Sequence, residues 1–83
     1  MKRGIISVSN DIYTNRYDLA KIIFNYMKPI RIDFEYWNGN VWRFVGESDL
    51  FDEIKEGESI PNYDAMLKTK EDGTVVFDKF ARI

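Results

Sequence analysis

Carboxylates are the side chains whose spacing could most readily support acid–base chemistry in this sequence, because its 83 residues include 14 Asp and Glu but no His and no Cys. That composition excludes the usual zinc sites, thiol nucleophiles, Ser-His triads and disulfides. Two close carboxylate pairs, Asp33 with Glu35 and Asp52 with Glu53, are ordinary neighbours on exposed faces. Glycosidase chemistry would need a deep cleft between two carboxyls, which so short a chain rarely encloses. We therefore expect no enzyme and no catalytic residues.

The sequence also lacks the motifs of cofactor and metal sites. Its five glycines are isolated at strand or turn boundaries, so there is no phosphate-binding loop. A calcium-binding loop needs alternating oxygen ligands around a central Gly, and the run from Asp49 to Asp52 breaks that spacing. We therefore expect neither a cofactor nor a metal ion.

The acidity is concentrated in one segment. Residues 47–58 hold six carboxylates and one Lys, a net charge of −5, whereas residues 1–46 hold seven basic and four acidic side chains, a net +3. Such a run is most often a solvated face, but a concentrated field also accelerates docking on a basic partner protein. The residues predicted to form the electrostatic part of a docking surface are Asp49, Asp52, Glu53 and Glu56.

Aromatic residues, 16% of the chain, supply the other part of the predicted surface. Trp37 falls at a turn or on a charged strand face, so we expect it to be exposed. The apolar positions of the first predicted helix cover about 220° of arc, whereas packing on one sheet needs a stripe of about 100°. Tyr17 and Phe24 must then be covered by another part of this chain, by a second copy or by another protein. We predict Trp37, with Tyr17 or Phe24, as the hydrophobic anchor.

The elements that position these side chains follow from hydrophobic periodicity. Residues 4–9 predict a buried strand and residues 10–14 a loop. Thr14 or Asn15 is expected to cap a helix that ends before Pro29. The helical face expected to be buried comprises Leu19, Ile22, Ile23, Tyr26 and Met27.

Two registers compete in the hairpin predicted around Asn38-Gly39, between strands over 30–36 and 41–46. A two-residue turn would place Trp42 and Phe44 on the charged face of the first strand. A three-residue turn with a left-handed Gly39 places both on its apolar face. We favour the three-residue turn, because burying each large aromatic side chain is worth about 2 kcal/mol or more.

The second half predicts a short helix from Ser48 to Gly57 and a second hairpin over 63–70 and 74–80. The result is a single α+β domain over residues 1–83. Its antiparallel-rich sheet follows the order β-α-β-β-(short α)-β-β, with the first helix packed on one face. This order resembles the split β-α-β pattern of ferredoxin-like folds with one strand added, and element order alone implies no function. The residues expected to turn inward from the second helix are Leu50, Phe51 and Ile54.

We expect a small cytoplasmic inhibitor or adaptor that docks on a partner protein, since catalytic side chains are missing whereas an acidic segment and surplus aromatics are present. No apolar run is long enough to cross a membrane, and the N-terminus does not resemble a signal peptide. The Ile-, Lys- and Asn-rich composition suits an AT-rich genome, and small inhibitors of this size are common on phages and mobile elements.

Two alternatives remain open at this point. One is a homodimer that binds a small ligand, with Tyr17 and Phe24 at its interface. The other is a nucleic-acid-binding domain, which the pI near 5.0 disfavours. Its contacts would come from the basic first half of the chain, through Lys2, Arg3, Arg31, Arg43 and Trp37.

Overall fold

The computed structural model describes residues 1–83 as a small α+β domain with a five-stranded sheet and two helices. Its elements are β1 (Arg3–Ser9), α1 (Asn10–Asn15), α2 (Tyr17–Phe24), β2 (Lys28–Glu35), a 3-10 turn (Tyr36–Asn38), β3 (Val41–Glu47), β4 (Asn62–Thr69) and β5 (Val75–Arg82). The strands lie in the order β2-β3-β1-β4-β5. The predicted fold class is confirmed in these coarse terms, but the sheet is mixed, because β1 pairs in parallel with β4.

The first connection contains two short helices, so the predicted loop over residues 10–14 is wrong. Ser9 is the cap: its hydroxyl accepts a hydrogen bond from the Ile12 N–H at 3.3 Å, and α1 begins at the next residue. Thr14, predicted as a cap, instead donates its hydroxyl to the Asn10 carbonyl at 2.7 Å within α1. Arg16 interrupts the helical backbone between α1 and α2.

The buried face of α2 differs from the predicted stripe. Ala20 and Ile23 are buried within the helix, and Met27 is buried just beyond it. Because α2 ends at Phe24, Tyr26 and Met27 lie in the turn to β2 and no longer follow the helical period. Tyr26 is consequently exposed, although its ring stacks on that of Phe77 in β5 with centroids 4.2 Å apart.

The β2–β3 hairpin adopts the predicted register. Phe44 lies opposite Ile32, Trp42 opposite Phe34, and Arg43 opposite Asp33, so the two aromatic residues share the apolar face. Gly39 has the expected left-handed backbone, with φ of 73°. The turn is longer than three residues, because a 3-10 turn replaces the end of the predicted strand and residue 40 is also left-handed.

The predicted helix after Ser48 is wrong: the chain from residue 48 to residue 61, here called the crossing segment, contains turns but no helix. Its backbone donors are engaged elsewhere, which competes with helix formation. The Ser48 N–H donates to the Lys2 carbonyl and the Ile54 N–H to the Met1 carbonyl. The Asp52 N–H donates to the Tyr63 hydroxyl at 2.9 Å.

This crossing segment sets the direction of β4. It passes beneath the start of β1 and stays at the end of the sheet where β3 finishes, so β4 begins there and runs parallel to β1. The split β-α-β half is present, since β1 and β2 both flank β3 in antiparallel orientation. The second predicted hairpin is confirmed as β4 and β5, joined by a turn with a left-handed Gly73.

The core lies between the two helices and one sheet face, here called the helix face. Ile6 and Phe44, on neighbouring strands, are each 1% exposed. Phe51 of the crossing segment stacks on Tyr63 of β4 with ring centroids 4.6 Å apart. The opposite face of the sheet, the open face, carries Arg43 and other charged side chains. The buried cluster is Ile6, Val8, Ile23, Met27, Phe44, Phe51 and Tyr63.

Candidate protein-binding surface

The edge strand β2 exposes apolar side chains that share the helix face with the core. Ile32 lies opposite Phe44, yet it is 50% exposed where Phe44 is 1% exposed. Phe34 is 37% exposed, and Ile30, at a bulge in the strand, is also exposed. We call these three residues the β2 edge.

The helices leave the β2 edge uncovered because they are too few and too short. The main helix contacts are those of α1 with β1 and β3 and those of α2 with β5. Five strands span about 24 Å in the hydrogen-bonding direction, whereas one helix with its side chains is about 10 Å wide. Two helices that follow each other along one connection therefore cover the middle of the sheet and β5 but not β2.

The hairpin tip, residues 36–40, continues this exposed apolar surface. Tyr36 is 72% exposed and Trp37 is 69% exposed, and their rings pack edge to face with centroids 5.2 Å apart. Two consecutive left-handed residues, Gly39 and Asn40, turn the chain back into β3. The sequence prediction that Trp37 is exposed is confirmed.

A chain of aromatic contacts joins the β2 edge to the helices. The ring of Phe34 packs on Trp42 and that of Trp42 on Tyr13, each with centroids 4.8 Å apart. Tyr17 packs edge to face on Tyr13 at 5.5 Å and remains half-exposed. The Trp42 indole N–H donates to the Asn10 side-chain oxygen at 2.9 Å, which fixes the ring in this cluster.

Phe24, the other predicted anchor, lies apart from the exposed aromatics. Its ring packs on Phe44 with centroids 4.8 Å apart, and the side chain is only partly accessible. The sequence analysis required another part of the molecule to cover Phe24, and Phe44 of the core does so.

The acidic segment divides into paired and unpaired carboxylates. Asp52 forms an ion pair with Arg82 at 3.0 Å, and Glu53 pairs with the N-terminal ammonium of Met1. The hydrogen bond from that ammonium lowers the pKa of Glu53 below its ordinary value. Both pairs tie the crossing segment to neighbouring chain. The carboxylates of Asp49 and Glu56 form neither a hydrogen bond nor an ion pair.

The structure separates the two parts of the predicted surface. Trp37 follows the end of β2, whereas Asp49 follows the end of β3, which lies beside the start of β2. Eight strand residues at about 3.3 Å each put roughly 23 Å or more between the hairpin tip and the acidic segment. Within one chain these residues therefore form two separate patches.

The basic residues of the first half are largely neutralised by neighbours. Arg31 pairs with Asp33 at 3.0 Å, and Arg43 approaches Glu35 at 3.6 Å. Arg3 lies 3.4 Å from Glu47. Local carboxylates therefore accompany three of the four cations in the proposed nucleic-acid surface.

Sequence reasoning missed Ile32, Phe34 and Tyr36 as surface residues, because alternation assigns them to a buried face. The feature of the sequence that predicts their exposure to solvent is the ratio of strands to helices. Five predicted strands with one long helix leave part of the helix face without a cover, and the exterior strand is the one left out.

No group of three or more His, Cys, Asp or Glu side chains converges where a metal ion could bind, and no buried side-chain polar atom lacks a hydrogen-bond partner. None of the helices has the length and apolarity required to traverse a bilayer. No protein-family model, no curated protein and no solved structure matches this chain.

Proposed function

We propose that this protein is a small, non-catalytic, cytoplasmic protein-binding module, an inhibitor or adaptor that docks on a partner protein through the exposed aromatic residues of the hairpin tip. The observation that carries this proposal is the pair Tyr36 and Trp37, two large side chains about 70% exposed and in mutual contact. Tyr and Trp are enriched among residues that dominate binding energy. Their exposure in the free chain gives the fold nothing, so a partner is the physical reason for it that we favour.

The electrostatic part of the proposal now rests on Asp49 and Glu56, whose carboxylates are free to meet a basic surface. Asp52 and Glu53 are engaged within the chain, so their replacement would disturb the crossing segment as well as any partner. We expect the free carboxylates to steer association rather than to dominate affinity.

The test is capture of a binding protein from an extract of the native host with immobilised wild-type chain and with the Trp37→Ala variant. We expect Trp37→Ala to weaken binding of the captured protein by about tenfold or more, as for other aromatic hot spots. Met66→Ala is the matched control, because Met66 is another exposed apolar residue, on the open face.

Each part of the proposal has its own refuting result. Equal capture by wild type, Trp37→Ala and the matched control would refute the hairpin tip as the binding surface. Reversing the charges of Asp49 and Glu56 should slow association at low salt, and an unchanged association rate would remove the electrostatic part. Salt-sensitive binding of oligonucleotides without any protein partner would favour the nucleic-acid alternative instead.

A further inference from the structure

The outer side of β2 presents a row of backbone groups with no neighbouring strand. Such an edge is a template for another strand unless it is blocked. Its side chains also alternate in a distinctive way, with Arg31, Asp33 and Glu35 on the open face and Ile32 and Phe34 on the helix face. The bulge at Ile30 restricts regular pairing to the part of the strand that follows it.

The charges on this edge select one self-pairing register. When two copies of β2 pair in antiparallel orientation about a twofold axis, facing residues must lie on the same sheet face. An axis at Arg31 sets Arg31 against Arg31. An axis at Asp33 sets Arg31 against Glu35 twice, but it also sets Asp33 against Asp33 at its centre. An axis at Phe34 sets Asp33 against Glu35. Only an axis at Ile32 sets Arg31 of each copy against Asp33 of the other.

We infer that β2 pairs in antiparallel orientation with β2 of a second copy, with the twofold axis at Ile32. The two sheets then form one continuous sheet of ten strands. Ile32 faces Ile32 of the second copy, and Arg31 faces Asp33 twice on the open face. Phe34 lies beside the bulge that contains Ile30 of the second copy. The half-exposed apolar residues of both edges are thereby removed from water, which supplies the driving force.

This pairing also reunites the two parts of the predicted binding surface. Because the two strands run antiparallel about Ile32, the hairpin tip of one copy comes beside the start of β2 in the second copy. Trp37 then lies at the end of the sheet that carries the second copy's Asp49. The pairing itself is independent of the proposed function, whereas this composite surface of aromatic and acidic residues from two copies rests on it.

The experiment is sedimentation equilibrium of the full chain from about 1 µM to about 1 mM. We expect a dimer for the wild type. Asp33→Arg replaces two attractive pairs by two Arg–Arg contacts and should weaken dimerisation by about tenfold or more. The exchange variant, Arg31→Asp with Asp33→Arg, restores opposite charges across the axis and should restore dimerisation.

The matched control is Asp78→Arg, the same charge reversal on the opposite edge strand β5. We expect it to leave dimerisation unchanged, and circular dichroism verifies that every variant is folded. A monomer at all concentrations would overturn the inference. A dimer that is weakened by Asp78→Arg but not by Asp33→Arg would also overturn it, because it would place the contact on β5.

The outcome distinguishes this inference from the proposed function. A monomeric chain whose Asp33→Arg variant loses the captured protein would assign the β2 edge to another protein and overturn self-pairing. A dimer that responds to the charge variants, but whose partner is insensitive to Trp37→Ala, would refute the proposed function alone.

Discussion

The two edges of this sheet are built alike but covered differently. Both β2 and β5 are eight-residue strands, each belongs to an antiparallel hairpin, and each pairing contains one irregularity. On β5, Phe77 stacks on Tyr26 and Phe80 packs on Phe51 of the crossing segment with centroids 4.7 Å apart. On the same face of β2, the aromatic contact is that of Phe34 with Trp42.

The turns of the two hairpins also differ, since one carries charged side chains and the other exposes aromatic side chains. The β4–β5 turn carries Lys70, Glu71 and Asp72, which water solvates readily, whereas the β2–β3 turn carries Tyr36 and Trp37. The position of β2 at an edge of the sheet therefore does not by itself explain why its apolar side chains are exposed, because β5 is also an edge strand and its apolar side chains are covered. The contrast teaches that the chain itself covers the apolar side chains of one edge and leaves those of the other edge exposed.

The largest expected effect comes from truncating matched phenylalanines on the two edges. Phe80 contacts Phe51, Tyr63 and Phe77, so Phe80→Ala should lower the free energy of unfolding by about 3 kcal/mol. Phe34→Ala removes a side chain that is more than a third exposed and should cost about 1 kcal/mol. Urea denaturation of both variants measures the difference, and equal losses would show that the two edges are equally packed.

A smaller effect is expected for two exposed tyrosines. Tyr26 holds the turn after α2 against β5 through its stacked ring, so Tyr26→Ala should lower the free energy of unfolding by about 1 kcal/mol. Tyr36 contacts Trp37 in the exposed tip, and Tyr36→Ala should change stability by less than about 0.5 kcal/mol. If thermal unfolding shows a larger loss for Tyr36→Ala than for Tyr26→Ala, the tip has a structural role and is not a free surface.

The sequence predicts the strands and the β2–β3 register because burial of two aromatic side chains outweighs the preference of Asn38-Gly39 for a two-residue turn. Phe44 carries that argument, since it is almost fully buried on the face predicted for it. The helix boundaries could not be predicted in the same way, because no burial difference chooses between the possible caps. Ser9 and Thr14 are both competent caps, and only the end of β1 decides that Ser9 is used.

The crossing segment and the candidate surface depend on contacts distant in sequence. The Ser48 hydroxyl accepts the local hydrogen bond expected of a cap, from the Leu50 N–H at 3.1 Å, and the Phe51 N–H donates to the Ser48 carbonyl. The Asp52 and Ile54 N–H groups then donate to the Tyr63 hydroxyl and the Met1 carbonyl instead of continuing a helix. The exposure of Ile32 likewise depends on where the helices end, which alternation along one strand cannot reveal. Trp37 was predictable because every register leaves it outside the core.

The smallest expected effect concerns the charged turn that closes the covered hairpin. The Asp72 carboxylate accepts a hydrogen bond from the Thr74 N–H at 2.9 Å, and this bond lowers the pKa of Asp72 below its ordinary value of 3.8. Because the folded state favours the charged form, its contribution to stability is present above about pH 4 and disappears as the pH falls through the lowered pKa.

Asp72→Asn should therefore reduce the free energy of unfolding slightly at pH 7, and the difference from wild type should vanish once the pH is below the lowered pKa of Asp72. Urea denaturation at several pH values measures this difference. Glu71→Gln is the matched control, because the neighbouring Glu71 carboxylate accepts no hydrogen bond, and it should show no such pH-dependent difference. A deficit of Asp72→Asn that stays constant with pH would mean that the turn depends on the shape of the side chain. The β4–β5 turn would then be held by the geometry of its side chains and not by the hydrogen bond from the Thr74 N–H to the Asp72 carboxylate, a bond that distinguishes it from the β2–β3 turn.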